Sequence, residues 1–199
     1  MRLIVVRHGQ TEENTKGIIQ GPLVPLDGAG KKQAEMIAER LKDEKIDVAY
    51  VSDYKRTIDT VDVILQFHPE TVVIRESALR EKNTGIFVGR PNAEQKKARE
   101  ESGLSFYEFK PEGGESLVDL QNRVLALYEK VVEQHPNKTV LFVTHNGVIK
   151  TLLLHLMKKT FIDWESINVP NTAITVIDVS KLGQNEIKTL NSSEHLSVV

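Results

Sequence analysis

The sequence contains no cysteine, which excludes disulfide bonds, thiolate metal ligands and cysteine nucleophiles. It also lacks a long hydrophobic run near its start, where the apolar stretch at residues 3–6 is too short for a signal peptide or a membrane span. Neither sign of charge predominates, since 26 basic residues accompany 28 acidic ones without a long basic cluster of the kind that binds nucleic acid. We therefore expect a cytoplasmic protein that binds neither a membrane nor nucleic acid.

Strand and helix signals alternate along the 199 residues. Short β-branched runs predict strands at residues 3–6, 48–51, 72–74, 140–144 and 173–179. Apolar residues spaced three and four apart predict amphipathic helices around Ala34, Ile37, Ala38 and Leu41, around Ile58, Val61 and Leu65, and around Leu117, Leu120, Val124, Leu127 and Val131. This order predicts an α/β fold, a three-layer sandwich whose mainly parallel central sheet has helices on both faces and one antiparallel edge strand.

Residues 1–199 are expected to form a single domain, because the length and the 40% hydrophobic content suit one core. Residues 87–115 depart from the alternating pattern, being polar, rich in lysine and without a clear strand. We interpret them as an insertion that covers the site at the carboxyl edge of the sheet. Asp27, and Glu115 together with Ser116, are predicted to cap the helices that follow them. The pattern indicates no particular oligomeric state.

Polar side chains follow the predicted strands, at the edge where parallel sheets bind ligands. Arg7 and His8 come after the first strand, Ser52 and Arg56 after the second, Glu81 after the third and His145 after the fourth. Taken singly, each has a plain interpretation as a surface charge or an incidental histidine. Both histidines, however, directly follow strong strand signals and have a glycine within two residues, which lets a ligand approach the backbone. Together these side chains predict a local anion site.

Short motifs surround these positions: RHGQTEEN at residues 7–14, IIQG at 18–21, LDGAGKKQA at 26–34, SDYKRTIDT at 52–60, LRE at 79–81, GGES at 113–116 and THNGVI at 144–149. In this order they resemble the motifs of the histidine phosphatase superfamily, the phosphoglycerate mutase-like proteins. The resemblance implies that His8 is the nucleophile and that Glu81 donates a proton. It also implies that Arg7, Arg56 and His145 hold the phosphoryl oxygens.

The chemistry of phosphoryl transfer agrees with these roles. Two guanidinium groups and a protonated His145 would neutralise the equatorial oxygens of a phosphate monoester without a metal ion. His8 must attack as the neutral imidazole, with one ring nitrogen held by a backbone carbonyl and the other facing phosphorus. Glu81 would protonate the leaving oxygen and later take a proton from the attacking water.

Neutral hydrogen bonds to the substrate are expected from Thr11, Asn14 and Gln20 and from the backbone amides of Gly21 and Asn146. Thr11 and Asn14 are also common turn and cap residues, so a purely structural role is the alternative for both. A zinc site is the main alternative for clustered histidine and glutamate. It is not expected, because the sequence lacks a close histidine pair and because arginines near the histidines would repel a cation. No metal and no cofactor are predicted.

We expect a metal-independent phosphomonoesterase that hydrolyses small phosphorylated metabolites, such as sugar phosphates or phosphoglycerates, through a phosphohistidine on His8. REKNTGIFVGRP at residues 80–91 resembles the broad-specificity and fructose-2,6-bisphosphatase-like phosphatases, whereas mutases of the family tend to have a histidine-tyrosine pair shortly after the acid. The alternatives are a mutase, a phosphatase of phosphohistidine or phosphoproteins, and a phosphate-dependent binding module. Lys82, Arg90, Lys96 and Lys97 either bind a second phosphate or a carboxylate of the substrate, or are ordinary surface charges.

Overall fold

The computed structural model describes residues 1–180 and 184–197. Its strands are β1 (Arg2–Arg7), β2 (Val48–Val51), β3 (Val72–Arg75), β4 (Thr139–Thr144), β5 (Ile174–Val179) and β6 (Asn185–Ser192). Its α-helices are α1 (Glu12–Lys16), α2 (Gly28–Leu41), α3 (Lys55–Ile64), α4 (Asn92–Ser102), α5 (Leu117–Gln134) and α6 (Asn146–Leu156). Each predicted strand and helix therefore overlaps an observed one.

The strands form one six-stranded sheet in the order β3-β2-β4-β1-β5-β6. β3, β2, β4 and β1 are parallel, and β5 runs antiparallel to β1. This arrangement confirms the predicted α/β fold class, the mainly parallel sheet and the antiparallel orientation of β5. One detail differs from the prediction: β5 is not at the edge, because β6 pairs antiparallel with its outer side. β6 has the polar sequence NEIKTLNS and buries none of its residues, so it lacks the apolar run that marks the other strands.

Side chains of the central strands alternate between two apolar layers, as the pleat of a strand requires. Leu3 and Val5 of β1 lie in one layer, which α5 and α6 cover. Ile4 and Val6 lie in the other layer, which α2 and α3 cover. The helices thus occupy both faces of the sheet, as predicted, and the carboxyl ends of β1, β2 and β4 stay available at one edge.

Two of the predicted helix caps are present. Oδ1 of Asp27 accepts a hydrogen bond from the amide of Gly30 at 2.7 Å, and Oγ of Ser116 accepts one from the amide of Asp119 at 3.0 Å. The predicted capping role of Glu115 was wrong, because its carboxylate forms an ion pair with Arg123 at 2.7 Å instead. Helices α2 and α5 therefore begin where a side-chain oxygen satisfies a free amide of the first turn.

The polar segment at residues 87–115 contains α4, which the sequence pattern does not predict. None of the residues of α4 is buried, so the helix lacks the apolar stripe that would reveal it. A small apolar cluster of Phe87, Phe109 and Ile19, with Ala98 packed against it, attaches this segment to the loop after α1. Among the described residues, no helix combines the length and the apolar character that a membrane crossing requires.

Candidate active site

The carboxyl ends of the central strands bring the predicted residues together. Arg7 is the partner of Thr144 in the parallel ladder between β1 and β4, so the residues that follow them lie side by side. The ring centroids of His8 and His145 are 5.2 Å apart. A cavity of about 410 Å³ opens at this edge. The predicted site residues that line it are Arg7, His8, Asn14, Gln20, Arg56, Glu81 and Asn146.

The imidazole of His8 is held in one tautomer. Its Nδ1 lies 2.7 Å from the carbonyl oxygen of Gly9, an atom that can only accept, so Nδ1 carries the proton. Its Nε2 accepts a hydrogen bond from Nε of Arg56 at 3.3 Å, because a guanidinium can only donate. Nε2 is therefore unprotonated. Its single lone pair accepts the hydrogen bond of Arg56 and becomes available for attack when an anionic ligand takes over that hydrogen bond, as expected for a nucleophilic histidine.

The pKa of His8 is well below its usual value of 6.5, because the ring is buried and because Arg56 and Arg7 repel a further positive charge. The hydrogen bond to Gly9 opposes this shift without reversing it. Only 2% of the residue is exposed to solvent. His8 is therefore the neutral imidazole at pH 7, the form that attack on phosphorus requires.

Arg7 and Arg56 each use one nitrogen to anchor to the backbone. Nη1 of Arg7 donates to the carbonyl of Val169 at 2.6 Å, and Nη1 of Arg56 donates to the carbonyl of Gly21 at 2.9 Å. Within residues 1–180 and 184–197, neither guanidinium has a carboxylate within ion-pair distance, and Nε of Arg7 is buried without a hydrogen-bond partner. Two cations in one pocket without acidic partners suit an anionic ligand with several oxygens.

Arg56 is unusually buried for its size. It is 1% exposed and is among the largest fully buried side chains. Burial lowers its pKa to about 10, although the charges of Glu81 and Tyr54 oppose this effect. The group still carries its charge at neutral pH. Its guanidinium also lies 5.1 Å from the ring centroid of Tyr54, so an aromatic face supports the buried cation.

His145 is fully buried at the N-terminal end of α6. Its Nε2 lies 2.8 Å from Oγ of Ser52, whereas its Nδ1 has no hydrogen-bond partner in the part of the chain that the structure describes. Burial, followed by repulsion from Arg56, His8 and Arg7, holds its pKa well below 6.5. Without an anion nearby, His145 is therefore a neutral imidazole, and its protonated state in a complex with phosphate stays a prediction.

Glu81 is oriented by two backbone amides. Its Oε2 accepts a hydrogen bond from the amide of Gly147 at 3.1 Å, and its Oε1 accepts one from the amide of Lys82 at 2.9 Å. The first of these amides lies in the opening turn of α6, where a helix favours negative charge. The carboxyl group thus lines the same cavity as His8 and is held without an ion pair among the described residues.

Two of the predicted substrate-binding residues do not line the cavity. Thr11 is completely buried, and its hydroxyl accepts a hydrogen bond from the amide of Asn14 at 3.2 Å, which caps α1. The carbonyl of Gly21 accepts from Arg56, so this residue positions an arginine. Thr11 and Gly21 therefore act on the site through their neighbours, whereas Asn14, Gln20 and Asn146 line the cavity as expected.

The structure adds residues that the sequence does not suggest. Nδ2 of Asn171 donates to the carbonyl of His8 at 3.0 Å and lies 3.4 Å from Oδ1 of Asn14, so it connects the β1 end to α1. Trp164, the only tryptophan of the chain, lines the cavity together with Asn92 and Gln95 of α4. Asn171 and Trp164 lie outside the motifs, and Asn92 and Gln95 follow the segment at residues 80–91 without a pattern of their own. A single tryptophan in the composition is the one signal that could have drawn attention to any of them.

Comparison with known proteins shows to which family a chain with this site belongs. The sequence profile of the histidine phosphatase superfamily (branch 1) matches residues 3–193. Phosphoserine phosphatase 1 of Hydrogenobacter thermophilus is 33% identical over 201 residues, which cover 98% of this chain and 94% of that protein. A 2,3-bisphosphoglycerate-dependent phosphoglycerate mutase of Cytophaga hutchinsonii is 31% identical over 201 residues, which cover 96% and 94%.

A solved structure shows the same fold over the same extent. A phosphoserine phosphatase mutant from Entamoeba histolytica, in complex with phosphoserine, superposes with a TM-score of 0.83 at 28% sequence identity and covers 98% of both chains. The match of the family profile extends over nearly the whole chain, and these similarities agree with the resemblance that the motifs suggest. The chain therefore belongs to the histidine phosphatase superfamily, branch 1, and is a phosphatase.

Proposed function

We propose that this protein hydrolyses phosphate monoesters of small metabolites, without a metal ion, by transferring the phosphoryl group to Nε2 of His8. One observation carries the proposal: the fixed tautomer of His8 leaves an Nε2 lone pair beside a buried arginine that has no carboxylate partner among the described residues. A neutral nucleophile next to two uncompensated cations is suited to a dianionic substrate.

In the first step, Nε2 of His8 attacks phosphorus and the bond between phosphorus and the leaving oxygen breaks. Glu81, in its protonated form, gives its proton to that oxygen as the alcohol departs. The free N–H groups of Arg7 and Arg56 hydrogen-bond to the equatorial oxygens, and Nδ1 of His145, which has no partner among the described residues, joins them when it carries a proton. The products of this step are the alcohol, phosphohistidine and the Glu81 carboxylate.

In the second step, water attacks the phosphohistidine. The Glu81 carboxylate takes a proton from the water, the phosphorus–nitrogen bond breaks, and inorganic phosphate leaves with Nε2 restored. Glu81 suits both steps because two backbone amides hold its carboxyl group at one position. One residue thus acts as acid and then as base.

Small metabolites are the proposed substrates because the cavity measures about 410 Å³ and most of the residues that line it are polar or charged. The phosphoserine phosphatases among the similar proteins act on such a molecule. The cytoplasmic location stays a prediction, and cell fractionation would test it.

The proposed function is tested by release of p-nitrophenol from p-nitrophenyl phosphate in the presence of a chelator, and by trapping an acid-labile, alkali-stable phosphoprotein. We expect steady turnover and a trapped phosphoprotein, and we expect His8→Ala to abolish both. His155→Ala provides the matched control, because His155 is exposed on α6 and should leave both readouts unchanged.

Three outcomes would contradict the proposal in whole or in part. Phosphate binding without turnover would identify a binding module, and transfer of the trapped phosphoryl group to phosphoglycerate faster than to water would identify a mutase. A loss of turnover in the chelator that is restored by added metal would overturn metal independence.

A further inference from the structure

A second cavity adjoins the proposed active site. It measures about 360 Å³ and shares Lys82, Asn92, Gln95 and Leu117 with the first cavity. His8, Arg7 and Arg56 line only the first one, so the second lies on the side away from the phosphoryl site. A substrate whose phosphate sits at His8 would extend its remaining part towards this space.

Lys82, at the junction of the two cavities, is a cation that has no acidic partner among the described residues. Its Nζ donates one long hydrogen bond, of 3.4 Å, to the carbonyl of Phe109, and no carboxylate among residues 1–180 and 184–197 lies within ion-pair distance. Partial burial lowers the pKa of Lys82 below its usual value of 10.5. A lysine that is partly withdrawn from water and has no ion-pair partner gains from a ligand that compensates its charge.

The other basic candidates of this region behave differently. Lys96 lies 4.0 Å from Glu100, Lys97 lies 3.8 Å from Glu101 and Arg90 lies 3.6 Å from Glu94, and all three basic side chains are more than half exposed. Each therefore has an acidic partner and the exposure of an ordinary surface charge, although Lys96 also lines the second cavity. Lys82 differs from these three in having no carboxylate within ion-pair distance among the described residues.

A second donor points to the same ligand chemistry. Nε2 of Gln95 is buried and has no hydrogen-bond partner within the described part of the chain, and Gln95 lines both cavities. Arg99, which also lines the second cavity, adds a further positive charge, and Phe106 and Phe109 supply an apolar wall. Donors and positive charge beside aromatic rings suit an anionic group on a compact organic body.

We propose that Lys82 and Gln95 form a subsite for a second anionic group of the substrate, a carboxylate or another phosphate, on the part of the molecule that leaves. The preferred substrates are then phosphomonoesters with two anionic groups, and esters with a neutral or only cationic leaving group are poorer. This inference rests on the proposed function, since it assigns the leaving group of the same reaction.

Matched substrates test the subsite. Phosphoserine and phosphoethanolamine differ by one carboxylate, and fructose 1,6-bisphosphate and fructose 6-phosphate differ by one phosphate. We expect the wild type to prefer the doubly anionic member of at least one pair in kcat/KM. Lys82→Met should reduce that preference about tenfold or more, and Gln95→Leu about threefold, because a hydrogen bond to a charged donor is stronger than one to an amide.

Lys97→Met is the control, because Lys97 is exposed on the same helix as Gln95 and lines neither cavity. It should leave both activity and preference unchanged. Lys82→Arg, which retains the charge, should keep most of the preference. Equal kcat/KM for both members of each pair in the wild type would overturn the subsite, as would a Lys82→Met variant that lowers both members by the same factor.

Binding to His8→Ala protein separates failure of the subsite from failure of the proposed reaction. Calorimetry should show tighter binding of the doubly anionic member of the preferred pair, and Lys82→Met in this background should remove the difference. If no ester is turned over but this difference is found, the reaction is wrong and the subsite stands. If esters are turned over but binding shows no difference, the subsite is wrong and the reaction stands.

Discussion

The backbone amide of Gly147 donates a hydrogen bond to Oε2 of Glu81 at 3.1 Å, and a β-carbon at position 147 would overlap the other carboxyl oxygen of that glutamate. Gly147→Ala should therefore displace Glu81 while disturbing the fold little, since the end of a flexible side chain is what must move. We expect hydrolysis of alkyl phosphates to fall about 100-fold, the range attributed to a positioned proton donor.

The loss caused by Gly147→Ala should depend on whether the leaving group needs a proton. The p-nitrophenolate ion leaves without a proton, so turnover of p-nitrophenyl phosphate should fall far less than that of an alkyl ester. The comparison is made by kcat/KM over a series of leaving groups. Gly28→Ala is the control, because no atom of the described residues lies within 4 Å of the β-carbon it would add. An equal loss for all leaving groups would show that Glu81 is not the proton donor.

Ser52→Ala should lower both activity and stability, because it removes the hydrogen-bond partner of His145. The hydroxyl of Ser52 lies 2.8 Å from Nε2 of His145, and both residues are fully buried. Without it, a buried ring nitrogen loses its partner, which costs about 1–3 kcal/mol. We expect kcat/KM to fall about tenfold and the free energy of unfolding to drop by about that cost, measured by urea denaturation. Ser77→Ala, at an exposed position, should change neither quantity.

Acid should destabilise the protein through its buried histidines. The pKa of His8 and that of His145 are both well below 6.5 in the folded state, so below pH 6.5 the unfolded chain binds protons that the folded chain does not. Stability therefore falls as pH decreases, by up to about 1.4 kcal/mol per pH unit for each such histidine.

This pH dependence is measured by urea denaturation at pH 7.0 and 5.5. His8→Gln should lose less stability over that interval than the wild type, because one of the two histidines no longer titrates. Ser77→Ala, at an exposed position that does not titrate, provides the comparison and should lose as much as the wild type. An identical loss in the His8 variant would mean that His8 is protonated in the folded protein.

Lys150 should position the aromatic wall of the cavity. Its Nζ donates to the carbonyl of Trp164 at 3.1 Å and lies 5.0 Å from the centre of that ring. We expect Lys150→Met to shift the tryptophan emission to longer wavelength and to raise KM several-fold, with kcat changed less than twofold. Lys188→Met, on β6, is the control. Unchanged emission and KM would show that Trp164 keeps its place without Lys150.

The core of the candidate site could be predicted because it depends on strand ends. Arg7, His8 and His145 follow apolar runs that are visible in the sequence, and adjacent parallel strands must bring such residues to one edge. The same logic does not separate a residue in the cavity from one behind it. Thr11 is the example, because a threonine before a helix serves equally well as a cap, and the cap is the role that its hydrogen bond to Asn14 shows.

No local sequence pattern marks the remaining features of the fold and the site. β6 and α4 are polar on most of their surface, so neither shows the periodicity of a buried element. Asn171 and Gln95 reach the site only through tertiary packing, and an isolated amide residue has no pattern that would predict this. The neutral state of His145 likewise depends on complete burial, which only the packed structure reveals.

Helix α4 has no buried residues, so its side chains can be substituted to alter substrate preference at little cost in stability. Ala98 packs against the cluster of Ile19, Phe87 and Phe109, but substitutions at the exposed positions of this helix remove no buried side chain and should mostly alter the free energy of unfolding by less than about 0.5 kcal/mol. The helix nevertheless supplies Asn92 and Gln95 to both cavities. Libraries restricted to α4 could therefore be screened for new leaving-group preferences while the histidines, arginines and glutamate that perform the transfer stay in place.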